Sequence, residues 1–187
     1  MGPFWIILII IVVLILFIVG IYNKLVSLKL RVENAWAQID TQLKRRFDLI
    51  PNLVETVKGY AKHESGTLEK VIEARNKYVS GNGSVEDAAK ADNMLKATMK
   101  DLFALAEAYP DLKANSNFQA LQVELTGTED KIAYARQFYN DTVQLYNESL
   151  MVFPNNLVVG IFGNGKFSAK NFFEVAEEEK KNVKVSF

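Results

Sequence analysis

The chain falls into three regimes of hydrophobic and polar patterning. From Phe4 to Ile21 (FWIILIIIVVLILFIVGI) no side chain is polar, and no charge occurs before Lys24. As an α-helix, Pro3 to Tyr22 would be about 30 Å long, the thickness of a bilayer's hydrocarbon core. Such a helix has no wet face to lay on a surface, and as a core helix it would need cover on every side. The rest of the chain is patterned as amphipathic helices and is too small to supply that cover, so a membrane span is predicted. No basic residue precedes the run, and Val19-Gly20-Ile21-Tyr22 is a poor cleavage site, so the span reads as a retained anchor. Trp5 and Tyr22 suit the two interfaces. Lys24, Lys29 and Arg31 follow at once, with Lys44, Arg45 and Arg46 beyond, which predicts an outside N-terminus and a cytoplasmic C-terminal domain.

From Tyr22 the apolar residues contract to a stripe: Leu25, Leu28, Val32, Trp36, Ile39, Leu43, Phe47 and Ile50. Steps of three and four mark an amphipathic helix, and nothing interrupts its passage out of the span. Pro51 predicts a kink or a one-residue break near Asp48–Pro51, before the stripe resumes at Val54, Val57 and Ala61. A second helix is expected over about Ser65–Val79, with Leu68, Val71, Ile72, the stem of Arg75, and Tyr78 and Val79 inward. Ser80-Gly81-Asn82-Gly83 reads as a turn, and Ser84 as the cap of a third helix that Pro110 ends. Ser116-Asn117-Phe118-Gln119 resembles a capping box opening a fourth. Its stripe, from Phe118 through Leu125, Ile132 and Tyr139 to Leu150, alternates threes and fours over four heptads, the period of knobs-into-holes packing.

The third regime begins after Phe153-Pro154. A short apolar run, Leu157-Val158-Val159-Gly160-Ile161-Phe162, leads into a glycine turn, then Phe172-Phe173, a charged stretch, and Val183-Lys184-Val185-Ser186-Phe187 alternating as an extended segment would. The expected fold is all-α: a transmembrane helix (1–23) continuing into an antiparallel bundle of long helices (24–153), with a short irregular C-terminal segment and tail (154–187).

Composition removes most chemistry. Basic and acidic residues balance at 22 each, which argues against nucleic acid as a partner. There is no Cys and one His, so disulfides, thiolate sites, di-iron bundles and two-histidine zinc motifs are excluded. His63 reads as an exposed residue at a helix end. Gly160 to Lys166 matches a phosphate-loop spacing, but Phe167 stands where a Mg²⁺-binding hydroxyl belongs and too little chain remains for a parallel sheet. No catalytic residue, cofactor, metal or small-molecule substrate is expected. Contact residues are: Arg45 and Arg46, which with Lys44 lie on a solvated face, pair within the bundle with Asp40 and Asp48, or pair with an acidic surface of a neighbouring subunit; and Leu157, Val158, Ile161, Phe162, Phe172, Phe173, Val183, Val185 and Phe187, which cover the bundle end or dock on another subunit or the bilayer.

Leu43–Glu64 (LKRRFDLIPNLVETVKGYAKHE), Tyr109–Asn115 (YPDLKAN), Phe118–Leu125 (FQALQVEL), Thr128–Ala133 (TEDKIA), Ala135-Arg136, Tyr139-Asn140 and Phe153-Pro154-Asn155 together resemble the LemA family over nearly the whole chain. Near the end the family's usual Phe-Gly-Phe departs to Phe162-Gly163-Asn164. The resemblance implies a bacterial inner-membrane protein with one anchor and a long-helix bundle, similar to a magnetosome membrane protein and often encoded beside a membrane zinc metalloprotease or a small membrane-associated protein. It carries no catalytic residues. The expected function is a non-enzymatic scaffold in membrane lipid that self-associates as a homo-oligomer and organises or remodels the membrane; the alternative is an adaptor or regulator of a membrane protein such as a metalloprotease.

Overall fold

The computed structural model describes residues 3–163 and 165–174. It is all-α, with helices α1 Pro3–Lys58, α2 Ser65–Ser80, α3 Val85–Glu107, α4 Pro110–Ala114, α5 Ser116–Met151 and α6 Asn155–Phe162, and no strand among the described residues. α1 opens with an 18-residue window of mean hydropathy 3.6, and every side chain from Phe4 to Phe17 is exposed. No described residue covers this segment, which speaks against a core helix.

Two units can be described separately. The first holds residues 1–36 and 138–171. Leu25, Val32 and Ala35 of α1 are buried in it, as are Tyr139, Val143 and Tyr146 of α5 and Val158 of α6. Trp36 packs on Tyr139 with ring centroids 5.9 Å apart, and the Arg31 guanidinium sits 5.8 Å from the Phe138 ring. The second unit holds 37–137 with 172 onward. Its core is built from Ile39, Leu43, Phe47, Ile50, Leu53 and Val57 of α1, Leu68 and Val71 of α2, Leu95, Met99 and Leu102 of α3, and Phe118, Leu125 and Ile132 of α5. These are the positions that steps of three and four place on one helix face. Buried hydroxyls are satisfied locally: Thr98 donates to the Leu95 carbonyl (3.0 Å) and Thr128 to that of Leu125 (2.8 Å).

Several boundaries differ from expectation, each for a local reason. Of the kink or break expected near Pro51, the break does not occur: α1 is continuous through Pro51, whose ring is exposed while Phe47, Ile50, Leu53 and Val54 around it are buried. Packing holds the turn despite the missing N–H. Pro110 does follow the end of α3, but it also starts α4, since its fixed φ suits a first helical turn. The cap of α5 is Asn115, whose Oδ1 accepts from the Phe118 N–H at 3.0 Å; Gln119 instead donates to the Lys113 carbonyl. Ser84 caps α3 as read, accepting from the Asp87 N–H at 3.1 Å. Val79 faces solvent rather than the core. Its neighbour Tyr78 takes the inward position, stacking on Phe47 at 4.2 Å and donating to Asp40 Oδ1 at 2.8 Å.

The largest departure is α6, which stands where an irregular segment was expected. Leu157, Val158, Ile161 and Phe162 recur at helical spacing, and Val158 alone of the four is buried. The helix stops at Gly163, where any Cβ would run into the Val159 carbonyl. Residues 166–174 are non-helical.

Candidate interaction surface

In the second unit Arg46 is the centre of a buried charge cluster. It is 5% exposed, and its Nη1 lies 2.7 Å from Asp92 Oδ1 and 2.5 Å from Glu129 Oε2. Lys96 closes the cluster from one turn further along α3, at 2.9 Å from Glu129 Oε1 and 3.5 Å from Asp92 Oδ2. Burial pushes the Asp92 carboxyl up, against the pull of Arg46 and Lys96 and with Glu129 adding to the rise. For Lys96, burial lowers the ammonium, but Asp92 and Glu129 outweigh it and the net shift is upward. The charges therefore hold one another in place. Arg45, half-exposed, pairs with Glu124, and Lys44 with Asp40 at 2.7 Å. The expected partners Asp40 and Asp48 are thus replaced, for both arginines, by carboxylates of α3 and α5.

Other polar side chains of the resembling segments fasten elements together. Asn115 Nδ2 donates to Tyr60 Oη (3.0 Å) and Tyr109 Oη to Glu64 Oε1 (3.4 Å), while in the first unit Asn155 Nδ2 donates to the Ser149 carbonyl (2.9 Å). Tyr139 donates to the Asn171 carbonyl at 2.9 Å, and burial pushes its phenol up to about 12. His63 is exposed beyond the end of α1. Gly160 lies inside α6, so the phosphate-loop spacing falls on a helix end. No group of three or more His, Cys, Asp or Glu suited to a metal occurs among the described residues.

The exposed apolar residues of the soluble part are concentrated at the end of α5 and on α6. Met151, Val152 and Phe153 are exposed, Phe153 at 78%, and so are Leu157, Ile161 at 69% and Phe162. Of the contact residues read from sequence, Leu157, Ile161 and Phe162 form one surface, with Val158 turned inward. Phe172 and Phe173 belong to the other unit, where Phe173 is buried and Phe172 half-exposed. Val183, Val185 and Phe187 lie outside the described residues. A second surface went unseen in the sequence: an open groove in the second unit lined by Ala37, Gln38, Thr41, Asp130, Lys131 and Tyr134, with Tyr134 itself 77% exposed.

Comparison with known proteins brings out relatives of this chain. Protein LemA of Metamycoplasma hominis is 26% identical over 140 residues, covering 75% of this chain and 64% of the relative. Magnetosome proteins MamQ 2 and MamQ 1 of Paramagnetospirillum magneticum are each 23% identical over 178 residues, covering 82% of this chain and 64% of theirs. The chain thus spans a little under two thirds of the length of these relatives. Together with the apolar start of α1, they point to a membrane-anchored protein. Residues 35–187 match the LemA family as a whole, and the chain belongs to that family.

Proposed function

We propose that this chain is a non-enzymatic membrane scaffold whose copies self-associate and thereby organise or remodel the bilayer around their anchors. The observation that carries the reading is α1, in which a single helix from Pro3 to Lys58 contains both the apolar span and the first strip of the bundle core. No loop separates the two along the chain, so contacts between bundles would set the spacing of the spans. The polar inventory supports a role without catalysis, since the buried Arg46 and Asp92 and the half-buried Lys96 and Glu129 are engaged with one another. Flanking positive charge favours an outside N-terminus and a cytoplasmic bundle in a bacterial inner membrane.

The groove beside Tyr134 is a suitable contact between copies, because a large, half-apolar ring carries much contact area at low entropic cost. The test is light scattering and single-particle imaging of the full-length protein in detergent and in lipid. Ordered multimers are expected, and a monomer at micromolar concentration defeats the scaffold. The same groove would serve an adaptor. A photo-crosslinker at position 134 that captures a different membrane protein, with no self-adduct, would assign that role instead.

A further inference from the structure

We propose that the exposed apolar face of Phe153 and α6 is a second membrane-contacting element, seated in the lipid interface beside the exit of the span. The argument starts on α1. Side chains are exposed from Phe4 to Phe17, and protein cover begins at Ile18, Ile21 and Tyr22, which are half-buried, before Leu25 is fully so. If Pro3–Tyr22 fills a bilayer core about 30 Å thick, cover that begins at Ile18 reaches about 6 Å inside the apolar boundary. Protein at that depth must present hydrocarbon to lipid on its outer side.

The first unit has such an element in place. Phe167 packs edge-on against Tyr22, ring centroids 5.4 Å apart, and Lys29 Nζ donates to the Lys166 carbonyl at 3.2 Å. Those two contacts pin the segment after α6 to the turn where α1 leaves its apolar run. Five residue steps connect Phe162, the last of α6, to Phe167, so the end of α6 lies within about 18 Å of the Phe167 backbone. α6 is itself only about 12 Å long, too short to cross a bilayer but suited to lying in its boundary. From Met151 to Phe162 the chain carries no charge, and the outward residues Phe153, Leu157 and Ile161 repeat every fourth position. The same unit carries Lys24, just past the apolar run, and Lys29 and Lys166, whose segments the Lys29 hydrogen bond joins, and such cations suit anionic headgroups. An uncharged apolar face, held by Phe167 and Lys166 to the place where the span ends, is matched to lipid. This inference needs the anchor but not self-association.

The chain has no cysteine, so single labels can be placed at will. Leu157→Cys, Ile161→Cys and Gly160→Cys, with Val123→Cys and Tyr134→Cys as controls, would carry an environment-sensitive fluorophore in full-length protein. A Cβ at Gly160 meets nothing within 4 Å, so that variant tests the face without removing a side chain. In phosphatidylcholine–phosphatidylglycerol vesicles with brominated acyl chains, quenching at 157, 160 and 161 is expected to exceed that at 123 and 134 several-fold. Equal quenching at all five sites overturns the proposal. A blue-shifted label that bromine does not quench also overturns it. In that case spin–spin coupling between labels at 161 assigns the face to a second copy, and its absence assigns it to residues 175–187 of the same chain.

Discussion

The two units spend their unusual residues in opposite ways. Around Arg46 the second unit hides charge, burying a guanidinium and the Asp92 carboxylate and closing them over with the half-buried Lys96 and Glu129. Around α6 the first unit shows grease, leaving Phe153, Leu157 and Ile161 uncovered although Val158 between them is buried. Buried charge is costly unless every member is paired, so such a cluster is tolerated only where all its parts arrive together. Exposed hydrocarbon costs little to folding and marks contact with something outside. The first feature is thus answered within the chain, and the second, on the proposal above, by lipid.

The sharpest way to break that contrast is Arg46→Met, which removes the most buried cation and leaves Asp92 and Glu129 to Lys96. A loss of about 3–5 kcal/mol is expected in denaturant unfolding of the detergent-solubilised protein, as for other broken buried pairs. Asp92→Asn should cost clearly less, because burial already opposes the Asp92 charge and Arg46 keeps Glu129. A reversed order would mean that Asp92, not Arg46, organises the cluster.

Tyr78→Phe deletes a hydrogen bond to the Asp40 carboxylate and should cost about 1 kcal/mol. It also bears on pH. Burial, then the Asp40 bond, raises the Tyr78 phenol above its ordinary 10.0, and burial raises that of Tyr139 to about 12. The folded state then holds protons that the unfolded chain releases, so this stability is fully present below pH 10.0 and is lost as pH rises through the folded values. Phenolate absorbance should show a late component near pH 12 that Tyr139→Phe removes. Asn115→Ala, which uncaps α5, should also cost about 1 kcal/mol in the same unfolding assay. The smallest effect is expected at the uncovered face: Leu157→Ser and Ile161→Ser should each stay within about 0.5 kcal/mol in detergent. A larger loss would show that α6 is packed where it looks bare.

The helices were legible because their burial is periodic. Leu25 through Ile50 and Phe118 through Tyr146 announce their inward faces by spacing alone, and Ser84 announces its cap. What failed to show was whatever depended on a partner far along the chain. Asp92 lies in step with Ala88 and Leu95 on the inward stripe of α3, and that position was the available signal for a buried acid. Its mates, Arg46 and Glu129, are 46 residues behind and 37 ahead, from 92 − 46 and 129 − 92. α6 was missed because six apolar residues fit a strand or a helix equally, and only the burial of Val158 with Leu157 and Ile161 outside resolves the period. Tyr134 was invisible for the converse reason, since an exposed ring on a long helix looks like any other off-stripe residue until Ala37 and Thr41 are seen beside it.

The half-covered residues Ile18, Ile21 and Tyr22 share one side of α1, while Val19, Gly20 and Asn23 opposite remain open. A collar on one flank only gives the surrounding lipid two different heights to match, tall on the bare flank and short on the collared one. Acyl chains that solvate both flanks must step between those thicknesses within the width of a single helix. Each copy would then act as a small wedge in one leaflet, and a row of them facing the same way would add their steps into a bend.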